Sequence, residues 1–162
     1  MLSTEHNLTA GSAQYNWLQQ DLQTVNRTIT PWLFIEMHRP IYDMFQEDDA
    51  IAVAMEYEIE DLLYEYNVDV VLSGHFHSYL RSCDGLFRGK CDNGGPIYIT
   101  VGTGGAPLDG ESHGNLPWVE KYVGTQWGVG KVSIFDATKL RWEFVAVGKD
   151  VTDEHVIIRH RD

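Results

Sequence analysis

The sequence predicts an α/β fold in which a βαβ unit is followed by antiparallel strands. Two apolar runs of strand length, at 31–37 and 68–72, flank the segment 51–66, which is rich in helix formers and carries apolar residues at helical spacing. Strand, helix, strand is the crossover unit of a parallel sheet. Beyond residue 126 the chain alternates apolar and polar residues, as antiparallel strands do when one face is buried.

The remaining elements follow from local patterns along the 162 residues. Ser12 can cap a helix over 13–26, because its hydroxyl can accept a hydrogen bond from a backbone N–H group of the first turn. A third strand is predicted at 97–101, and the segment 111–124 is expected to be a long loop at the rim of the fold. No repeat, low-complexity tract or linker interrupts the chain, so a single domain over 1–162 is expected. Three further strands and one hairpin turn complete the prediction, at 127–135, 136–139 (the turn), 140–147 and 154–159.

Three histidines stand where the two predicted parallel strands end. His38 closes the first apolar run just before Pro40, and His75 and His77 follow Gly74 at the end of the second run. The carboxyl ends of parallel strands meet at one edge of a sheet, where open α/β sheets bind their ligands. Residues i and i+2 of an extended chain point the same way, so two neutral imidazoles can converge on a cation. The pattern indicates a metal site at this edge, the alternative being a hydrated loop that contains histidines.

Several segments resemble the motifs of one enzyme family. Residues 30–42, with the sequence His-Arg-Pro after a strand, are similar to its fourth metal-ligand motif, and Ser-Gly-His-Phe-His-Ser-Tyr at 73–79 is similar to its fifth. Further similarity lies before the fourth motif, after the fifth and in the terminal hairpin, at 3–6, 11–18, 21–22, 95–105 and 140–144. The family is the purple acid phosphatases of the calcineurin-like metallophosphoesterase superfamily. The resemblance covers nearly the whole chain and implies the carboxyl-terminal half of a two-sheet αββα sandwich.

The resemblance also implies a phosphohydrolase of the acid phosphatase type with a binuclear metal centre. His38 and His75 would ligate a divalent metal, which is Zn, Mn or Fe in the family, and His77 would ligate a ferric ion. Two cations so placed neutralise charge on the attacking and leaving oxygens of the reaction. The expected partner is therefore a phosphomonoester substrate.

The sequence departs from the family pattern in the number of its metal-ligand motifs. The family builds its site from five motifs, and only the last two are present here, so two aspartates, a tyrosine, an asparagine and a further histidine have no counterpart. The isolated chain is accordingly expected to hold one metal or none. Three functions stay open: an acid phosphatase, a catalytically incomplete fragment or pseudoenzyme that serves as a binding or structural module, and a complementation partner. An exposed sheet edge would support a homodimer or pairing with the missing amino-terminal half.

The acid catalyst is not assigned by the motifs. Many family members carry histidines a few residues after the fourth motif, where this chain has Asp-Met-Phe-Gln-Glu-Asp at 43–48. His6 and His113 are the remaining candidates, against the more ordinary interpretation that both are surface histidines.

Two cysteines and two glycosylation signals bear on the cellular compartment. Cys83 and Cys91 flank seven residues that begin with an Asp-Gly turn signal, so they can close a small loop or remain free thiols in a cytosolic protein. A zinc role is disfavoured because the pair lacks a second pair of cysteines or close histidines, and the family resemblance favours the disulfide. Asn7 and Asn26 each begin an Asn-X-Thr signal. These features predict a secreted or extracytoplasmic protein, and no signal peptide is present in the sequence.

Composition argues against two classes of partner. The formal net charge is −12, from 24 acidic and 12 basic residues, so most of the surface repels nucleic acid. No apolar run approaches the roughly 20 residues that cross a bilayer. We therefore expect neither nucleic-acid nor membrane binding.

Overall fold

The computed structural model describes residues 1–44, 50–111 and 115–159. In that part of the chain it contains two helices and eight strands, which in order are α1 (Ala13–Thr24), β1 (Phe34–Glu36), α2 (Ala50–Glu65), β2 (Val70–Ser73), β3 (Tyr79–Ser82), β4 (Ile97–Val101), β5 (Val119–Val123), β6 (Gly128–Ile134), β7 (Lys139–Ala146) and β8 (Val151–Ile158).

Five of the strands form a mixed sheet in the order β1-β2-β4-β3-β5. β1 and β2 are parallel, with Phe34 opposite Val70, and α2 lies between them in the chain. β4 runs parallel to β2 on its other side, whereas β3 pairs antiparallel with both β4 and β5. The predicted βαβ unit is therefore confirmed, and it places the carboxyl ends of β1, β2 and β4 along one edge of the sheet.

The other three strands form an antiparallel sheet in the order β6-β7-β8. The turn between β6 and β7 lies where the sequence predicts it. Oδ1 of Asp136 accepts hydrogen bonds from the backbone N–H groups of Thr138 and Lys139, at 2.7 and 2.9 Å. An aspartate favours such a turn because its carboxylate satisfies backbone donors that the turn leaves unpaired.

The two sheets share a core on one side of the mixed sheet, and the helices share another core on its opposite side. Successive residues of a strand point to opposite faces, and β2 shows both environments. Val70 belongs to the buried cluster between the sheets together with Phe144, whereas Val71 belongs to the cluster under the helices with Leu18 and Leu63. The described residues thus form a helical layer and two sheets of the expected sandwich.

Helix α1 begins and ends for local reasons. Oγ of Ser12 accepts a hydrogen bond from the backbone N–H of Tyr15 at 3.2 Å, which confirms the predicted cap. The helix ends at Thr24, two residues earlier than expected, because Val25 adopts an extended conformation with φ −64° and ψ 118°. Neither α1 nor α2 is long and apolar enough to cross a membrane.

The sequence patterns do not predict β3 and β5. The expectation of a long loop over 111–124 is wrong for 119–123, which forms β5 and pairs with β3 through Tyr79 opposite Val123. Both strands are short, and their stability comes from neighbours that are distant along the chain. Strand preference depends on this tertiary environment more than on the local sequence.

Cys83 and Cys91 form a disulfide, with their Cα atoms 5.7 Å apart. The alternative of two free thiols is thereby excluded in this structure. The bond closes the segment between β3 and β4, next to a backbone hydrogen bond from the N–H of Asp92 to the carbonyl of Asp84 at 2.9 Å. The loop is therefore held both covalently and by its backbone.

Candidate metal site

The backbone brings the ends of β1 and β2 together beyond the last paired residues. The N–H of Met37 donates to the carbonyl of Leu72, and the N–H of Gly74 donates to the carbonyl of His38, both at 3.0 Å. The ladder therefore continues to the residues that carry the side chains of interest. As the strand order predicts, His38 and His75 become neighbours.

The imidazoles of His38 and His75 are in contact. Nδ1 of His75 lies 3.1 Å from Nε2 of His38, and the ring planes are inclined by 79°. His75 has a φ of +64°, which is uncommon for a residue other than glycine. The N–H of Phe76 donates to the carbonyl of Gly74 at 2.8 Å, so the chain turns sharply at His75. Such backbone conformations are concentrated at functional sites.

Arg39 holds the other nitrogen of His75. Its Nη1 lies 3.0 Å from Nε2 of His75, and its Nε donates to Oε1 of Glu5 at 2.8 Å. The backbone N–H of Arg39 donates to Oγ1 of Thr4 at 3.2 Å. The hydrogen bond from Arg39 also lowers the pKa of the Glu5 carboxyl below its ordinary value of 4.5. Because a guanidinium can only donate, Nε2 of His75 accepts here, and Nδ1 carries the proton that points to His38.

His77 is oriented by a backbone carbonyl. Its Nδ1 lies 2.8 Å from the carbonyl oxygen of Pro107, so Nδ1 donates, and in the neutral ring Nε2 has the lone pair. The N–H of Asp109 donates to the carbonyl of His77 at 3.2 Å, and the Asp109 carboxylate accepts a hydrogen bond from Oγ of Ser78 at 3.2 Å. Carbonyl partners of this kind fix the tautomer of metal-ligating histidines.

The geometry of His38 and His75 fits a single cation. Nitrogen ligands lie about 2.0–2.1 Å from Zn²⁺, so two of them at ordinary ligand angles are separated by roughly 2.8–3.4 Å. The observed 3.1 Å between the two nitrogens falls in this range. Within 1–44, 50–111 and 115–159, no group of three or more His, Cys, Asp or Glu residues could hold a metal ion. The described chain therefore offers a two-nitrogen site, and His77 lies on the same turn without joining such a group.

Of the two candidate acid catalysts, His6 lies within the described residues and is not part of this pair. His6 is exposed, and its Nδ1 lies 2.7 Å from Oγ of Ser3. His113 lies outside the described residues, as do 45–48 of the stretch that replaces the histidines of the family pattern.

The sequence did not indicate two of the groups that contact these histidines. Arg39 directly follows His38 in the sequence, so its presence near the histidines could have been predicted. The carbonyl of Pro107 gave none, because a backbone group has no residue-type signature and lies 30 positions from His77.

The two glycosylation signals have the same local structure. Both asparagines are exposed. Oδ1 of Asn7 accepts hydrogen bonds from the N–H and the hydroxyl of Thr9, at 2.8 and 2.7 Å. Asn26 accepts the equivalent pair from Thr28, at 3.0 and 2.7 Å.

Two family models match consecutive parts of the chain. Residues 2–79, which contain all three histidines, match the calcineurin-like phosphoesterase model, and 95–154 match the model described as iron/zinc purple acid phosphatase-like protein C. Together they cover β1, β2, β4 and β5 of the mixed sheet, β6 and β7 of the second sheet and the first half of β8, whereas β3 lies almost entirely between the two matches.

Individual purple acid phosphatases are also similar to this chain. The chain is 33% identical over 95% of its length to probable purple acid phosphatase 20 of Arabidopsis thaliana, of which it covers 37%. It is 39% identical over 57% of its length to Fe(3+)-Zn(2+) purple acid phosphatase 12 of the same plant, of which it covers 22%. The structure of purple acid phosphatase PPD1 from yellow lupin seeds superposes with a TM-score of 0.86 at 27% identity, over 97% of this chain and 30% of that one. The chain thus spans about a third or less of these relatives and shares their fold.

Proposed function

Because the chain belongs to the purple acid phosphatase family of calcineurin-like metallophosphoesterases, we propose that it takes part in metal-dependent hydrolysis of phosphate monoesters. The observation that carries the proposal is the 3.1 Å approach of Nε2 of His38 to Nδ1 of His75 at the carboxyl ends of β1 and β2. The family assignment indicates the class of reaction. The pair of His38 and His75 is where this chain would bind a metal for that reaction.

The three histidines would divide between two metals. His38 and His75 would hold the divalent ion, which is Zn, Mn or Fe in the family, and His77 would hold the ferric ion through Nε2. Bound there, the metals would supply Lewis-acid stabilisation for the phosphoryl oxygens. The Pro107 carbonyl keeps the proton of His77 on Nδ1, and the turn at Gly74 keeps the ring of His75 against His38. Any further ligands of the two metals, and an acid catalyst other than His6 or His113, would have to come from other residues.

A second candidate is a binding module or complementation partner that completes a site with another polypeptide. One observation favours it. Val132 and Ile134 of the edge strand β6 lie opposite Trp142 and Leu140, so they point to the same face as these core residues. Trp142 and Leu140 are buried, yet Val132 is 37% and Ile134 57% exposed. An uncovered apolar edge of this kind suits an added strand, from a second copy or from an amino-terminal half.

A zinc titration with a parallel assay of p-nitrophenyl phosphate hydrolysis tests the proposal. We expect wild-type protein to bind zinc, and His75→Ala to weaken that binding. His155→Ala is the matched control, because His155 contacts Asp84 at 2.7 Å, away from His38. Zinc binding without hydrolysis would favour the module, and equal zinc affinity of the two variants would contradict the site.

We also propose that Asn7 and Asn26 carry glycans in a secreted protein. The disulfide supports an oxidising compartment, and both asparagines are exposed. After expression through a eukaryotic secretory pathway, glycosidase treatment should change the electrophoretic mobility of the wild type but not of a variant with both asparagines replaced by glutamine. Unchanged mobility of the wild type would contradict the proposal.

A further inference from the structure

The guanidinium of Arg39 is in direct contact with the histidine pair, through Nε2 of His75. We propose that Arg39 binds the phosphate group of the substrate at this site. The inference rests on the proposed function, since it assigns a substrate contact to the same pair of histidines.

The position of Arg39 suits an anion that approaches the pair. Glu5 accepts the Nε–H and so anchors one side of the guanidinium, whereas the buried Thr4 accepts the backbone N–H and holds the main chain of Arg39. Nη1 points to His75, and the side chain is 22% exposed. A guanidinium has five N–H donors in one plane, and Nε uses only one of them. Its terminal groups can therefore form two parallel hydrogen bonds to phosphate oxygens.

The present partner of Nη1 is a weak one. A neutral imidazole nitrogen offers the guanidinium no opposite charge, whereas a phosphate oxygen is anionic and phosphate can accept from the guanidinium in a bidentate manner. Moreover, a cation held by Nδ1 of His75 requires the proton of a neutral ring to be on Nε2. Nε2 then becomes a donor and can no longer accept from Arg39. A cation on the histidine pair would therefore leave Nη1 without its present acceptor, next to His75, where it could donate to a phosphate oxygen.

Charge adds a second argument. With a net charge of −12, the chain repels anions over most of its surface, so a phosphate needs a local cation. The stretch 43–48 supplies no histidine for this purpose. The other ion-paired arginines of the described residues are held by carboxylates elsewhere, namely Arg27 by Asp69, Arg81 by Asp153, Arg88 by Asp61 and Arg141 by Glu143 and Glu154.

The test is calorimetric titration of inorganic phosphate into the zinc-loaded protein. We expect Arg39→Ala to weaken phosphate binding by roughly tenfold or more. Arg39→Lys should retain part of the binding, because lysine keeps the positive charge but lacks the planar N–H donors of the guanidinium. Arg88→Ala is the matched control, since Arg88 pairs with Asp61 and its side chain is 64% exposed. The zinc affinity of Arg39→Ala, measured separately, is expected to stay at or above that of the wild type.

Each other result has a distinct meaning. Normal zinc binding with unchanged phosphate affinity in Arg39→Ala would overturn the role of Arg39 and leave the metal site intact. Loss of both zinc and phosphate binding in Arg39→Ala would make Arg39 a support for His75 and would also overturn the phosphate contact. Failure of the wild type to bind zinc would overturn the proposed function, and the role of Arg39 with it.

Discussion

A Cβ atom placed on Gly102 would lie 1.7 Å from the carbonyl oxygen of Phe76. Phe76 is the residue between His75 and His77, and the N–H of Gly102 donates to the carbonyl of Ser78 at 3.0 Å. The chain leaving β4 therefore runs directly against the backbone of the histidine turn. Only glycine permits this approach, so the position of the two histidines depends on a residue 25 or more positions away in the sequence.

Gly102→Ala is expected to disturb the fold and the site together. The backbone of Phe76 cannot move aside as a flexible side chain could, so we expect the free energy of unfolding to fall by about 1–3 kcal/mol and zinc affinity to fall with it. Gly104→Ala is the matched control, because a Cβ there meets no atom within 4 Å. Urea unfolding and zinc titration measure the two effects. Equal behaviour of the two variants would contradict the close approach.

Glu60 is a buried carboxyl that accepts hydrogen bonds from the hydroxyl of Tyr42 and from the N–H of Arg88, the latter at 3.0 Å. Burial raises the pKa of Glu60 above its ordinary value of 4.5, although both hydrogen bonds act in the opposite direction. The folded state therefore binds the proton more tightly than the unfolded state. Stability is highest below pH 4.5 for this group and declines as pH rises from there through the raised pKa.

Glu60→Gln should remove this decline. Glutamine keeps the shape and the accepting oxygen but has no charge to desolvate. The free energy of unfolding of the variant should therefore increase relative to that of the wild type as the pH rises from 4.5 to neutrality. Up to about 1.4 kcal/mol is expected for each pH unit of the shift. Glu65→Gln, at an exposed position of the same helix, is the control. If the free energies of unfolding of the wild type and of Glu60→Gln depend on pH in the same way, the raised pKa of Glu60 is contradicted.

Asp153 and Arg81 form an ion pair between the two sheets, and each side chain is 9% exposed. Asp153 also accepts the hydroxyl of Tyr79 at 2.6 Å. Burial alone would raise the pKa of Asp153, but the hydrogen bonds from Arg81 and Tyr79 hold it below its ordinary value of 3.8. This group therefore contributes stability that is present above pH 3.8 and lost as the pH falls through the lowered pKa.

Asp153→Ala should lower the free energy of unfolding by about 3–5 kcal/mol, because it leaves Arg81 buried without its partner. The variant should also lose part of the acid sensitivity of the wild type below pH 3.8. Asp150→Ala, at an exposed position just before β8, serves as control. Urea unfolding at neutral and acid pH measures both effects, and a cost no greater than that of the control would count against the ion pair.

Much of this architecture could be predicted from local patterns. The period of 51–66 predicts α2, Ser12 predicts the start of α1, and the apolar runs before His38 and His75 predict β1 and β2. Parallel strands separated by a helix have few possible arrangements, so the meeting of His38 and His75 also follows. β3 and β5 could not be predicted from local patterns, because each is defined by pairing with the other, and β3 also by pairing with β4. His77 was expected beside the same metal centre, and its assignment stays a prediction.

By itself, the sequence determined the fold class, the edge of the sheet that carries the histidines, the family and the cysteine pair that can close a loop. These depend on short-range patterns and on residue types, which a chain displays directly. Only the tertiary structure decided which nitrogen of each histidine faces its neighbour, that Arg39 and Glu5 lie beside them, and that Gly102 must be a glycine. Those features arise where segments distant in sequence come into contact, as in the 3.0 Å hydrogen bonds from Gly102 to Ser78 and from Arg39 to His75, and such contacts are set by the packing of the whole sheet.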